Sequence, residues 1–163
     1  MRNPVFTGAC PAIVTPFDAS GAVNYTALEK LIDHVIEAGV DAICVCGTTG
    51  ECSTLSLREH IAVVEHSVKY INHRVKVIAG TGSNDTSAAV YLSQHAQDSG
   101  ADALLHVTPY YNKASQKGLI KHYEYIAERI ELPMILYNVP SRTGCNILPE
   151  TVVKLCKDVE NIV

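Results

Sequence analysis

The sequence predicts an α/β fold of the (β/α)8-barrel family, an incomplete barrel of about five βα units with the start of a sixth strand. Three observations predict it. Short runs rich in β-branched residues alternate with longer stretches of helical period, the pattern of βαβ units on a parallel sheet. The short runs are almost continuously apolar, as strands covered on both faces are. The first run is followed by "DASG", with nothing resembling the G-x-G-x-x-G turn that a doubly wound open sheet would place there.

The strand candidates are "PAIVTPF" (11–17), "AICVCG" (42–47), "VKVIAGTG" (75–82), "ALLHVTP" (103–109) and "MILYNVP" (134–140). Helices are predicted over 24–38, 56–71, 85–98, 115–130 and 149–158. Ser56 with Glu59 forms a capping box, Asp85 caps the next helix, and Pro149 suits a first helical turn. Gly39 and Gly100 follow last turns, where a left-handed residue is needed. The final "ENIV" reads as the opening of a sixth strand. A typical barrel needs about 250 residues, so residues 1–163 are expected to form one truncated barrel domain belonging to a longer protein. Such an open sheet needs partner chains, domain exchange or a second half to cover it.

Composition narrows the function classes. The chain is 47% hydrophobic and 18% charged with a net charge of −4, an ordinary globular profile. Lys and Arg are scattered, which excludes a nucleic-acid footprint or a polybasic membrane patch. Pro4, Pro11 and Pro16 interrupt the N-terminal region, and no apolar run approaches the roughly 18 residues of a membrane span. A cytoplasmic location is expected. The six cysteines include no C-x-x-C pair and read as buried thiols of a reducing compartment. The seven histidines lack H-E-x-x-H spacing and no G-x-S-x-G elbow is present, so neither a metal, a cofactor nor a serine nucleophile is predicted.

Chemistry collects at the C-terminal strand ends, the face where barrels build active sites. These ends carry Thr15, Thr48 with Thr49, Thr81, Thr108 with Tyr110 and Tyr111, and Tyr137 with Asn138. Any one of them could be a turn or cap residue; five in succession point to a shared site. Gly47-Thr48-Thr49-Gly50 offers backbone N–H groups and two hydroxyls to one small volume, suited to a carboxylate or another small oxyanion. Tyr137 can relay protons from a strand end, or simply pack. Arg142 on the following loop can pair with a second carboxylate, or stand as a surface cation.

Taken together, "GTTGE" (47–51), "TPYYN" (108–112) and "YNVPSRTG" (137–144) resemble the 4-hydroxy-tetrahydrodipicolinate (dihydrodipicolinate) synthase family, class I aldolase-type barrels of the N-acetylneuraminate lyase superfamily. The resemblance runs from "GACPAIVTPF" onward. It implies condensation of pyruvate with aspartate 4-semialdehyde through a lysine Schiff base, toward diaminopimelate and lysine. Thr48, Tyr137 and Tyr111 would form a proton relay, with Tyr111 reaching into a neighbouring subunit. Thr48 and Thr49 would hold the pyruvate carboxylate and Arg142 the carboxylate of the semialdehyde. The implied assembly is a homotetramer built as a dimer of dimers. Arg142 favours a short dicarboxylic substrate over the sialic-acid lyases or another 2-keto-acid aldolase; a non-catalytic half-barrel that binds carboxylates or assembles with other chains is the alternative of another class.

Two departures stand out. The family's Schiff-base lysine would lie past Val163, and Lys113 and Lys117 do not match its position, so this chain alone is expected to be inactive. The resemblance also places a histidine and a glutamate of lysine-inhibited members where Leu57 and Ala88 stand, while His60, Asn84 and Tyr110 remain. Lysine feedback is expected to be weak or absent.

Overall fold

A computed structural model describes residues 4–163. Four parallel strands, β1 (Ala42–Val45), β2 (Lys76–Gly80), β3 (Ala103–Val107) and β4 (Met134–Tyr137), lie side by side in chain order. Helices α1 (Tyr25–Glu37), α2 (Leu57–Ile71), α3 (Thr86–Ser99), α4 (Gln116–Ala127) and α6 (Pro149–Asp158) flank the sheet, each packed on the next. A one-turn helix, α5 (Pro140–Thr143), follows β4 and was not predicted. No helix of the described residues is long and apolar enough to cross a membrane.

The predicted boundaries hold because local chemistry sets them. Ser56 and Glu59 close the capping box at α2, the Asp85 carboxylate accepts from the Ser87 N–H, and Gly100 ends α3 in the left-handed conformation at φ 90°. Apolar positions three and four residues apart supply the buried stripe, as Leu119, Tyr123 and Ile126 do on α4. One strand requires correction. Segment 11–17 makes only a parallel bridge from Ala12 to Cys44 and an antiparallel one from Phe17 to Val23. Pro11 and Pro16 have no N–H to donate to a ladder, so pairing is confined to bonds such as Ile13 N–H to Cys44 O, 3.1 Å. At the other edge the sixth-strand expectation is met: Met134 N–H donates to Asn161 O (2.7 Å) and Val163 N–H to Met134 O (3.0 Å). The Asn161 amide fastens this segment by donating to Ala127 O and Ile130 O behind α4.

Alternation along the strands divides the core. Ile43, Val45, Val77 and Ala79 face the helices in the main cluster; Ala42, Cys44, Ile78 and Ala103 form a smaller one on the opposite face with Phe6, Cys10, Leu105 and Ile135. The helix side also holds a polar knot. His106 Nε2 lies 3.0 Å from Thr81 Oγ1 and 3.1 Å from Ser93 Oγ, and His122 Nδ1 lies 2.8 Å from Thr86 Oγ1. His106 Nδ1 and His122 Nε2 are buried without a hydrogen-bond partner.

Burial keeps both rings neutral, pushing His106 down to about 3, with neighbouring His122 adding to the effect, and His122 down to about 4. The unfolded chain protonates each ring near pH 6.5 but the native one does not. Their contribution to stability is therefore full at neutral pH and lost as pH falls through 6.5 toward 4. Replacing His122→Gln should reduce the stability lost between pH 7 and pH 5 by roughly 1–2 kcal/mol, measured by urea unfolding at both pH values.

Candidate functional site

Because all four strands are parallel, their C-terminal ends share one rim. β1 leaves the sheet there through Cys46, whose backbone is left-handed at φ 53°, and the turn 47–50 closes with Gly50 N–H donating to Gly47 O at 3.0 Å. Glu51, at φ 58°, redirects the chain afterwards. The left-handed residues thus flank the glycines, and the glycines provide room instead. A Cβ on Gly50 would meet Cys46 N at 3.1 Å and Ile13 O at 3.2 Å; one on Gly80, at the end of β2, would meet Cys46 O at 2.3 Å. Gly47 would meet nothing closer than Cys44 Sγ at 3.5 Å.

The turn is braced from both sides. Buried Thr15 donates its hydroxyl to Gly50 O at 2.7 Å. His60 Nε2 lies 2.8 Å from Gly80 O, and burial lowers the His60 pKa against the opposing hydrogen bond, so the neutral ring donates. Three of the five strand-end hydroxyl positions are therefore structural rather than part of a shared site. Thr15 holds the turn, Thr81 joins the His106 knot, and Thr108 donates toward Thr143 Oγ1 at 3.3 Å. Asn138 is structural too, donating to Asn146 and accepting from Ile147 N–H.

Thr48 and Thr49 remain exposed, and their N–H and hydroxyl groups have no protein partner among the described residues. They line a cavity of about 340 Å³ together with Tyr137, over apolar side chains including Ile78, Leu105 and Ile135. Among the described residues, neither a lysine nor an acidic side chain lines this cup. A narrow crevice between Thr48, Tyr137, Gly80 and Val107 continues from it, although no hydrogen bond joins Thr48 to Tyr137. Thr48 also borders an outer cavity of about 320 Å³, which is lined by Arg142 and Tyr110 as well as Leu57, His60 and Ala88. The Arg142 side chain is exposed and makes no ion pair among the described residues.

The sequence-predicted residues thus separate. Thr48, Thr49 and Tyr137 meet on the cup, and Arg142 stands on the adjoining cavity. Tyr111 lines neither: its side chain is 89% exposed on a left-handed backbone at φ 70°, a strain of roughly 1–3 kcal/mol. Its N–H is held by Thr143 O at 3.2 Å. Sequence reasoning missed Thr143 and the helix that carries it, although Pro140 and Gly144 in "PSRTG" are the usual start and stop signals. A larger cavity, about 680 Å³, lies away from the cup and is lined by Glu124, Glu128, Glu131, Asp158 and Glu160, a setting that repels carboxylates. No cluster of three or more metal-ligating side chains is placed to hold an ion among the described residues.

Residues 5–163 match the model of the dihydrodipicolinate synthetase family. The chain is 60% identical over 159 residues to a 4-hydroxy-tetrahydrodipicolinate synthase of Lachnoclostridium phytofermentans, covering 98% of this chain and 54% of that protein. It is 58% identical over 163 residues to the enzyme of the same name from Acetivibrio thermocellus, covering 100% of this chain and 55% of that one. The crystal structure of chloride-inhibited dihydrodipicolinate synthase from Acinetobacter baumannii, complexed with pyruvate, superposes with a TM-score of 0.93 at 51% identity, over 96% of this chain and 53% of that chain. The chain spans about half the length of the curated relatives it matches.

The spacing at Gly80 yields a direct check on the turn. Gly80→Ala should destabilise the chain by roughly 1–3 kcal/mol, because Cys46 O is backbone and cannot swing aside. Gly47→Ala should cost well under 1 kcal/mol, since its added methyl meets only ordinary contact. Thermal unfolding of both variants measures the contrast.

Proposed function

The chain belongs to the dihydrodipicolinate synthetase family, and on that premise we propose that it supplies the pyruvate cup and the aldehyde-side arginine of a 4-hydroxy-tetrahydrodipicolinate synthase. The reaction is condensation of pyruvate with aspartate 4-semialdehyde in diaminopimelate and lysine synthesis. One observation carries the reading: two adjacent threonines keep N–H and hydroxyl donors unpartnered on a cavity free of acidic side chains. That arrangement suits a small carboxylate, and a relative crystallised with pyruvate supports the choice of acid.

In the proposed mechanism Thr48 and Thr49 hold the pyruvate carboxylate at the rim. A lysine amine adds to the keto carbonyl and water leaves, giving an imine. Loss of a proton from the methyl carbon forms the enamine, which attacks the aldehyde carbon. Tyr137, beside Thr48 on the same cavity, relays protons with the Thr48 hydroxyl, assisted by a partner subunit's tyrosine equivalent to Tyr111. The exposure of Tyr111 supports this exchange, and we extend it to a homotetramer built as a dimer of dimers. Arg142, unpaired on the adjoining cavity, binds the carboxylate of the semialdehyde. No lysine among the described residues lines the cup, and the reading takes the amine from outside them. The six cysteines form no disulfide and fit the cytoplasm. Lysine feedback is weak or absent, because the outer cavity offers no carboxylate to an incoming ammonium beside Leu57 and Ala88.

Borohydride trapping with pyruvate tests the reading. The 163-residue chain alone should give no adduct, whereas the chain fused to the C-terminal part of the Acetivibrio thermocellus relative should give one at a single lysine. An adduct on the chain alone overturns the account of the amine; none on the fusion overturns the enzyme reading and favours a carboxylate-binding half-barrel. In the fusion, Tyr137→Phe should lower kcat by roughly 10²–10³-fold. Arg142→Ala should raise KM for the semialdehyde by roughly 10–100-fold with KM for pyruvate little changed. Cleavage of a longer keto acid in place of condensation would identify a lyase.

A further inference from the structure

We propose that the Thr143 hydroxyl is a positioning latch that sets the backbone of Tyr111 and the helix bearing Arg142 in one frame, a role that rests on the synthase reading of those two residues. Thr143 touches no reacting atom in this account; it acts through its neighbours.

The argument begins with α5. A single turn of four residues cannot hold itself, since one turn fixes many dihedrals for few hydrogen bonds. Its own backbone bonds are Arg142 N–H to Val139 O (2.9 Å), Thr143 N–H to Val139 O (3.1 Å) and Gly144 N–H to Pro140 O (2.9 Å). Arg142 cannot anchor it, being exposed and unpaired. Thr143 can, because its side chain is buried with 4% exposure. The hydroxyl lies 2.8 Å from Cys145 O, its nearest acceptor, and accepts from Cys145 N–H at 3.2 Å. Thr108 donates into it from the end of β3 at 3.3 Å. One oxygen therefore ties the exit of β3 to both sides of the turn after β4.

The backbone of Thr143 completes the latch. Its carbonyl accepts from the N–H of Tyr111, three residues beyond Thr108, at 3.2 Å. Tyr111 occupies the left-handed region without being glycine or asparagine, so its conformation has to be imposed from outside. Thr143 contacts this loop twice, by hydroxyl at Thr108 and by carbonyl at Tyr111. It also precedes Gly144, whose φ of 66° closes the helix. Thr143 lines the outer cavity together with Arg142 and Thr48, so displacement of the latch reaches the cavity directly.

Residue-resolved hydrogen exchange on the fusion with the C-terminal part of the Acetivibrio thermocellus relative tests this, comparing Thr143→Val, Thr143→Ser and Thr108→Val with the parent fusion. Thr143→Val should accelerate exchange at the Tyr111 and Gly144 amides by about tenfold or more, while the Thr81 amide, bonded to Leu105 O in the sheet, changes little. Thr143→Ser, which keeps the hydroxyl, should restore the parent rates, and Thr108→Val should fall between. Unchanged exchange at Tyr111 in Thr143→Val, equal acceleration at Thr81, or failure of serine to rescue would each overturn the latch.

A second readout connects it to the site. Succinic semialdehyde, titrated into the fusion with pyruvate present, should bind Thr143→Val about fivefold or more weakly than the parent fusion, with pyruvate affinity preserved. Equal binding to both would overturn the functional role of the latch. If the parent binds no succinic semialdehyde, the synthase reading of Arg142 fails, and the exchange rates alone decide whether Thr143 positions the two segments.

Discussion

The carbonyl of Cys46 lies where a side-chain carbon on Gly80 would stand, 2.3 Å from the position a Cβ would take. That approach brings the exit of β1 down onto the end of β2 and forces Cys46 into a left-handed conformation while it is buried. The strain is tolerable because other groups enforce the geometry. Thr15 holds the far side of the turn through Gly50 O, and the neutral ring of His60 occupies the Gly80 carbonyl from the helix side. With the backbone so directed, Thr48 and Thr49 have no protein acceptors left to satisfy and turn their donors toward solvent. The unpartnered donors at the rim, on which the proposed carboxylate site rests, follow from this contact between two strand ends.

Polar groups are sorted by face. Hydroxyls that point to the helix layer are consumed by one another or by histidines kept neutral by burial, as Thr81, Ser93 and His106 are. On the other face, the lining below the rim is largely apolar, so the polar groups of the cup are concentrated at the rim itself. A carboxylate bound there meets donors without competing anions, which strengthens charge-assisted hydrogen bonds.

Much of this was legible in the sequence. Helix boundaries were set by local signals at Ser56, Asp85, Gly100 and Pro149, and the structure keeps them within a few residues. Strand 11–17 was over-read because its apolar pattern outweighed two prolines that remove ladder donors. Sequence also grouped five strand-end hydroxyls as one site; direction decides their roles, and direction depends on a left-handed residue at Cys46 and on ring positions across helices. That Thr48, Thr49 and Tyr137 line one cavity could be foreseen because β1 and β4 end at one rim. Thr143 could not, since its importance comes from contacts with Thr108 and Tyr111 some thirty-five and thirty-two residues away.

The parallel sheet has a second rim, and its contacts are of another kind. There Asp41 accepts from Ala9 N–H, Asp102 pairs with Lys76 and accepts from Val77 N–H, and the Gln97 side-chain carbonyl takes the N–H groups of Glu131 and Leu132. These side chains close loops where the strands begin, a strand's length from the threonine pair. On the proposed reading, robustness and recognition fall to separate ends of the same strands. Drift or engineering at the strand-starting end can retune heat tolerance while leaving selectivity intact, and changes at the threonine end carry the opposite risk.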